Sequence, residues 1–434
     1  MATTVRTLPA ERGRGGRTWY PVVALLLILL GVGIYAYLEE LSEGMAVTGL
    51  RNLGPQGGAT WGLYITFVIY FVGLSFAGIS TAALIRLAKI DRLRPIVRMA
   101  ELLTVICLML AAMTIVADLG QPLRGIVNLF RYARPQSPFF GTFTLVISGY
   151  LFASLVYLYL DGRRDAAVQA AEGAPYRGFL RAWAAGYSDT EPERVRHRRA
   201  SFWLSIAIVP LLVTAHSTLG FVFGLQVGRP GWYSALQAPA FVMLAGVSGL
   251  GMLIILAAIA RRSLHLQARL GLPMFRTLGI FMFVSLLVYL YFVGVELLTN
   301  LYTGSVRERD VLRELLGGDY AWLYWSAIAG FVIAAALLVA WLAVQQLRTH
   351  IWPLVVAGVL VNLGAMAKRF LIVVPSQTDG QLLPYADGSY APSWTEYGVI
   401  GGLLALGALL FLGFAKVFPI VPLPEEGDDG KVVT

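Results

Sequence analysis

Five ionisable side chains interrupt otherwise apolar stretches of this 434-residue sequence: Asp118, His216, Glu296, Lys368 and Arg369. An imidazole is the usual proton acceptor near neutral pH, and a carboxylate can share that work. Lysine and arginine beside them would hold negative charge as it develops on a bound group. Together these types suit two-electron, two-proton chemistry on a small amphipathic ligand such as a quinol. A quinol needs a partner at each ring oxygen, a base for its proton, and apolar walls. Charges inside a bilayer are costly, so those truly inside are candidates for function.

The elements that must carry these groups are helices in a membrane. Apolar residues make up 57% of the chain and charged residues 14%, with a mean hydropathy of +0.70. A soluble domain carries about 25% charged residues, so a soluble enzyme, a disordered chain and a fibre are excluded. The pattern predicts an all-α polytopic membrane protein with ten transmembrane helices. They cover about 21–41, 61–85, 97–117, 139–160, 202–225, 238–260, 275–298, 321–345, 351–374 and 396–418. At about 1.5 Å per residue each is long enough for a hydrocarbon core of about 30 Å. The membrane domain is then 21–418, between a tail at 1–20 and a tail at 419–434. The first helix is a full spanning length with no small-residue cleavage pattern after it, so it is expected to be retained.

Basic residues set the orientation. One set of flanks holds 24 of the 34 Lys and Arg and the opposite set holds 8, so the first set is expected in the cytoplasm with both termini. The location expected is the cell (inner) membrane. The net charge of +9 follows from this asymmetry and needs no nucleic acid. The long cytoplasmic loop 161–199 ends in Arg194-Val-Arg196-His-Arg198-Arg199, which reads as a topology determinant on anionic lipid or as a docking site for a partner.

Depth follows from the rise. His216 lies roughly 21 Å into the fifth helix and Lys368 roughly 26 Å into the ninth, with Arg369 beside it. Asp118 and Glu296 close the third and seventh helices at about 31 Å. All five therefore come to the outer level. Each has a plainer alternative. Lys368 and Arg369 could snorkel to outer headgroups, Glu296 could end its helix, Asp118 could cap a turn, and a neutral His216 could be satisfied by a neighbouring helix. Glu101, near the cytoplasmic edge, is expected to be solvated, with the mouth of a proton path as the alternative.

A weak repeat links Gly73-Leu-Ser75-Phe-Ala-Gly78 in the second helix to Gly246-Val-Ser248-Gly-Leu-Gly251 in the sixth. Two four-helix bundles, helices 2–5 and 6–9, flanked by helices 1 and 10, would fit it. Close helix packing through small residues is the alternative. The lone Cys107 excludes an internal disulfide or a thiolate metal site. The histidines are His197, His216, His265 and His350, and only His216 is well inside an apolar span. No haem or iron–sulfur cluster is expected in this chain.

Four segments carry a resemblance to the NrfD-type family of quinone-interacting membrane subunits. They are Trp61-Gly62 with Gly73-Leu-Ser75; Asp118-Leu-Gly120-Gln-Pro122-Leu-Arg124 with Ser137-Pro138-Phe-Phe-Gly141; His216-Ser217 with Pro230-Gly-Trp232 and Pro239-Ala-Phe-Val242; and Arg369-Phe-Leu-Ile-Val-Val-Pro375 with Tyr390-Ala-Pro392-Ser-Trp394-Thr-Glu396. The resemblance spans about 55–420. It implies electron exchange between menaquinone or another quinone and an iron–sulfur subunit on the extracytoplasmic side, within a complex holding other membrane subunits. It implies that His216 and Asp118 bind quinol and accept its protons. Arg124, Arg369, Glu296, Trp61 and Lys368 would help to bind it. The sequence departs from the family at Tyr233 and Lys368, where a histidine and an acidic residue are common, and no histidine precedes Trp61. A structural anchor without a quinone site therefore stands as one alternative, and a secondary transporter as another.

Overall fold

The computed structural model describes residues 19–50, 59–132, 134, 136–137, 143–173, 175–378 and 389–423. Ten long helices follow the apolar runs: α1 (Trp19–Glu43), α2 (Leu63–Arg86), α3 (Val97–Asp118), α5 (Thr144–Ala171), α7 (Glu191–Gly224), α8 (Gln237–Ser263), α9 (Leu272–Tyr302), α11 (Ala321–Ala343), α13 (Trp352–Val373) and α15 (Trp394–Val417). Each is apolar and long enough to cross a membrane. Shorter helices join them: α4 (Pro122–Tyr132), α6 (Arg177–Ala184), α10 (Val306–Gly317), α12 (Gln345–Arg348) and α14 (Pro375–Thr378). The described residues contain no strand. Most of both tails, Arg51 and the 138–142 part of one sequence motif lie outside them.

The starts of several helices are written in the sequence. Ser393 caps α15 and receives Glu396 three residues on, and Thr190 does the same for α7 with Glu193. That second capping box corrects one expectation. Residues 161–199 are not a long loop, because α5 continues to Ala171 and α7 begins at Glu191. The basic run Arg194–Arg199 is an extension of a spanning helix.

The packing forms two closed rings. α2, α3, α5 and α7 each touch the next and α7 returns to α2, while α8, α9, α11 and α13 close in the same way. These are the two expected four-helix bundles. They meet where α2 and α7 pack on α8, and α13 on α2. α1 and α15 pair outside the rings, crossing where Gly33 and Gly402 leave no room for a side chain on either helix.

Candidate functional site

Arg369 sits inside the protein, 2% exposed, where the two rings meet. Its guanidinium lies against Gly73 of α2, where a Cβ would overlap Nη2. Nη2 donates to the Ser248 hydroxyl of α8 at 3.2 Å, and the group stands 5.4 Å over the Tyr70 ring. The two halves of the sequence repeat thus serve one residue: Gly73 makes the room and Ser248 accepts the bond. No carboxylate pairs with Arg369 among the described residues, and its buried Nη1 has no partner there. The buried Tyr289 hydroxyl of α9 is likewise without a partner among the described residues. Tyr70 donates to Asn362 of α13 at 3.0 Å, which fixes the ring beneath the cation.

Lys368, one residue earlier on α13, turns the other way. Its ammonium is 3.0 Å from Glu296 of α9 and 5.8 Å from the Tyr324 ring centre. Neither Lys368 nor Arg369 snorkels to headgroups, since both are buried. Glu296 does not end its helix, because α9 runs on to Tyr302. The pair lines a narrow crevice of about 30 Å³, which Val311 and Leu312 of α10 and Leu371 and Ile372 of α13 line as well.

His216 of α7 is 1% exposed. Its Nδ1 is 2.8 Å from the Leu212 carbonyl one turn back, and its Nε2 is 2.9 Å from the Val72 carbonyl of α2. A neutral ring donates to only one of these oxygens, whereas an imidazolium donates to both. Phe76 and Tyr150 meet the ring edge-on at 5.3 and 6.2 Å.

Trp61 is bound to α14, the short helix that follows α13. Gln377 accepts from the Trp61 amide at 3.1 Å and donates to its carbonyl at 2.8 Å. The Trp61 ring stacks on Trp232 at 5.6 Å and meets Phe223 at 5.9 Å, while the Trp232 indole donates to the Ile372 carbonyl at 2.6 Å. Aromatics from the entry to α2, the end of α7 and the entry to α8 therefore form one cluster, tied to α13 at Ile372, about one turn beyond Lys368 and Arg369.

Two expected residues lie apart from this group. Asp118 closes α3, half-buried, where the chain turns through Gly120 at φ +64° into α4. Arg124 is exposed on α4 and donates to Gln121 at 3.3 Å. At the opposite, basic-rich end, Arg98 is buried between Asp161 at 2.9 Å and Asp165 at 2.8 Å, and it donates to the Pro419 carbonyl. Glu101 is 2% exposed, so the solvated reading of that residue is overturned. Sequence reasoning missed Tyr70, Ser248, Tyr289, Tyr324 and Gln377 as members of the site. Only the Gly-x-Ser spacing carried a signal for any of them.

The polysulphide reductase, NrfD family model matches residues 52–379 of the chain. A candidate dimethyl sulfoxide reductase membrane subunit from Halobacterium salinarum is 30% identical, over 96% of this chain and 94% of its own. A selenate reductase subunit from Mesobacillus selenatarsenatis is 25% identical, over 94% and 96%. An Hdr-like menaquinol oxidoreductase integral membrane subunit from Archaeoglobus fulgidus is 26% identical, over 93% and 94%.

Proposed function

This chain belongs to the polysulphide reductase, NrfD family, and from that premise we propose that it is the quinol-exchanging membrane subunit of a respiratory oxidoreductase. Its relatives are subunits of reductases and of a menaquinol oxidoreductase, which supports the coarser reading of a quinone-oxidoreductase subunit. The finer reading assigns roles to residues. Arg369 and Lys368 stabilise negative charge on the ring oxygens, His216 takes a proton from the ring, Asp118 at the end of α3 serves as an onward proton acceptor away from it, and Trp61 with Glu296 helps to bind the ring. Two electrons leave to an iron–sulfur subunit on the basic-poor face. The basic-rich face is cytoplasmic, and the host is the cell membrane.

One observation carries this reading: Arg369, a cation deep in a spanning helix, has no carboxylate partner among the described residues. Such a charge is expensive unless an anion or a polar ligand answers it. Its test is Arg369→Gln in the purified complex, with quinol titrated against turnover. The expected result is an assembled complex with quinol turnover lowered at least about tenfold, the scale of one lost charge-stabilising contact. Unchanged turnover would overturn the reading.

A structural anchor is the second reading, and two observations favour it. The crevice over Lys368 has room for water but not for a quinone ring. Both nitrogens of His216 already face backbone carbonyls. The quinone reading therefore includes a movement of α10, whose Val311 and Leu312 line the crevice, that admits the ring to Lys368.

A further inference from the structure

The outermost helix pair carries a polar cluster that quinol exchange does not use. Glu40 of α1 and Glu396 of α15 are 1% and 0% exposed, and they lie close enough to interact electrostatically. Glu396 is well supplied with donors. The Gly49 amide at 2.7 Å and the Ser393 amide at 3.0 Å both reach Oε2, and the Tyr390 hydroxyl donates to Oε1. Tyr390 in turn accepts from the Leu63 amide at 2.7 Å. Burial and the neighbouring carboxylate raise the Tyr390 phenol above its ordinary range, so it remains a donor. Glu40 has one donor, the Tyr64 hydroxyl at 2.6 Å on Oε2, and its buried Oε1 has no partner among the described residues.

The titratable groups around Glu40 are its chain neighbour Glu39 and Tyr37 on α1, Tyr64 on α2, Tyr390, and Glu396 with Tyr397 on α15. Every one is a phenol or a carboxyl. No Lys, Arg or His pairs with Glu40 or Glu396 among the described residues. Two carboxylates sharing a buried site without a cation do not both ionise. Glu396 receives three hydrogen bonds and Glu40 only one, so Glu40 is the carboxyl less well served as an anion. We propose that Glu40 is a proton-binding site, its carboxyl bridged by the Tyr64 hydroxyl at the joint of α1, α2 and α15. Glu40, Tyr390 and Glu396 lie outside residues 52–379, the segment matched by the family model. The site is therefore built by what α1 and α15 add to the two rings, and it does not depend on the quinone reading.

The test is infrared spectroscopy of the purified full-length chain in lipid at neutral pH, read in the protonated-carboxyl region. Glu40→Gln should remove one protonated-carboxyl band and leave the carboxylate bands in place. Tyr64→Phe, which deletes the donor to Oε2, should move the same band to higher frequency without removing it. An unchanged band in Glu40→Gln, or loss of a carboxylate band instead, would show an ionised Glu40 and would overturn the proposal. Should Glu40→Gln fail to fold, the Tyr64→Phe spectrum decides alone: a shifted band supports the site and an unmoved one overturns it.

Discussion

His216 and Arg369 meet α2 at successive residues, from different rings. The imidazole reaches the Val72 carbonyl at 2.9 Å, and the guanidinium lies on Gly73. A single residue step of α2, about 1.5 Å along its axis, thus separates the contact of the proposed proton acceptor from that of the proposed charge-stabilising group, and a shift of this part of α2 moves both.

Replacing Gly73 tests this arrangement directly. In Gly73→Ala the new methyl meets Arg369 Nη2, so the guanidinium or α2 must move. Overpacking of this kind costs about 1–3 kcal/mol, and quinol turnover should fall with the thermal midpoint. Gly149→Ala, whose Cβ meets nothing within 4 Å, serves as the control and should leave both unchanged or slightly improved. Equal behaviour of the two variants in a thermal melt would show that Arg369 is not held in this cradle.

His216→Ala should leave the complex assembled and lower quinol oxidation by about 10²–10⁴-fold, the usual worth of a positioned base. Asp118→Asn keeps the shape and loses the proton-accepting charge, so it should slow turnover as well. Normal turnover in both variants, at normal complex yield, would promote the anchor reading.

Lys368 and Glu296 should couple in a double-mutant cycle. Either Lys368→Met or Glu296→Gln strands one charge, while the pair of changes strands none. The Glu296 side chain is 30% exposed, which softens the effect, so a coupling of about 1–3 kcal/mol is expected from thermal unfolding of the four proteins. Simple additivity would mean that the ion pair contributes nothing in solution.

A reporter fused at position 180, within α6, should give a cytoplasmic signal, following the excess of basic residues on that face. An extracytoplasmic signal would reverse the orientation and move the proposed site to the inner side.

The spans were legible because bilayer thickness imposes one length on every apolar run. The level of Lys368, Arg369 and Glu296 was legible for the same reason, since residue count gives height along a helix. Height does not give azimuth. Lys368 and Arg369 are neighbours in sequence, yet one turns to Glu296 and the other to Ser248, and that choice depends on how the rings close. Arg98 shows the same limit. It counts among the basic residues of a flank but lies buried between Asp161 and Asp165, and those partners come from another helix. Glu40 was not singled out, because Glu39-Glu40-Leu-Ser-Glu43 lies at the end of an apolar run and nothing in the sequence shows that α15 packs over it.

The pairing of α1 with α15 has a consequence for biogenesis. Ribosomes deliver α1 before every other described span and α15 after all of them, yet each is the other's main packing partner. Until α15 is inserted, the face of α1 that later crosses Gly402 is open to lipid, and Glu40 lacks the neighbour that completes its surroundings. Closure of the outermost helix pair therefore cannot precede the insertion of α15, and the eight spans between them must be made while α1 still lacks its partner.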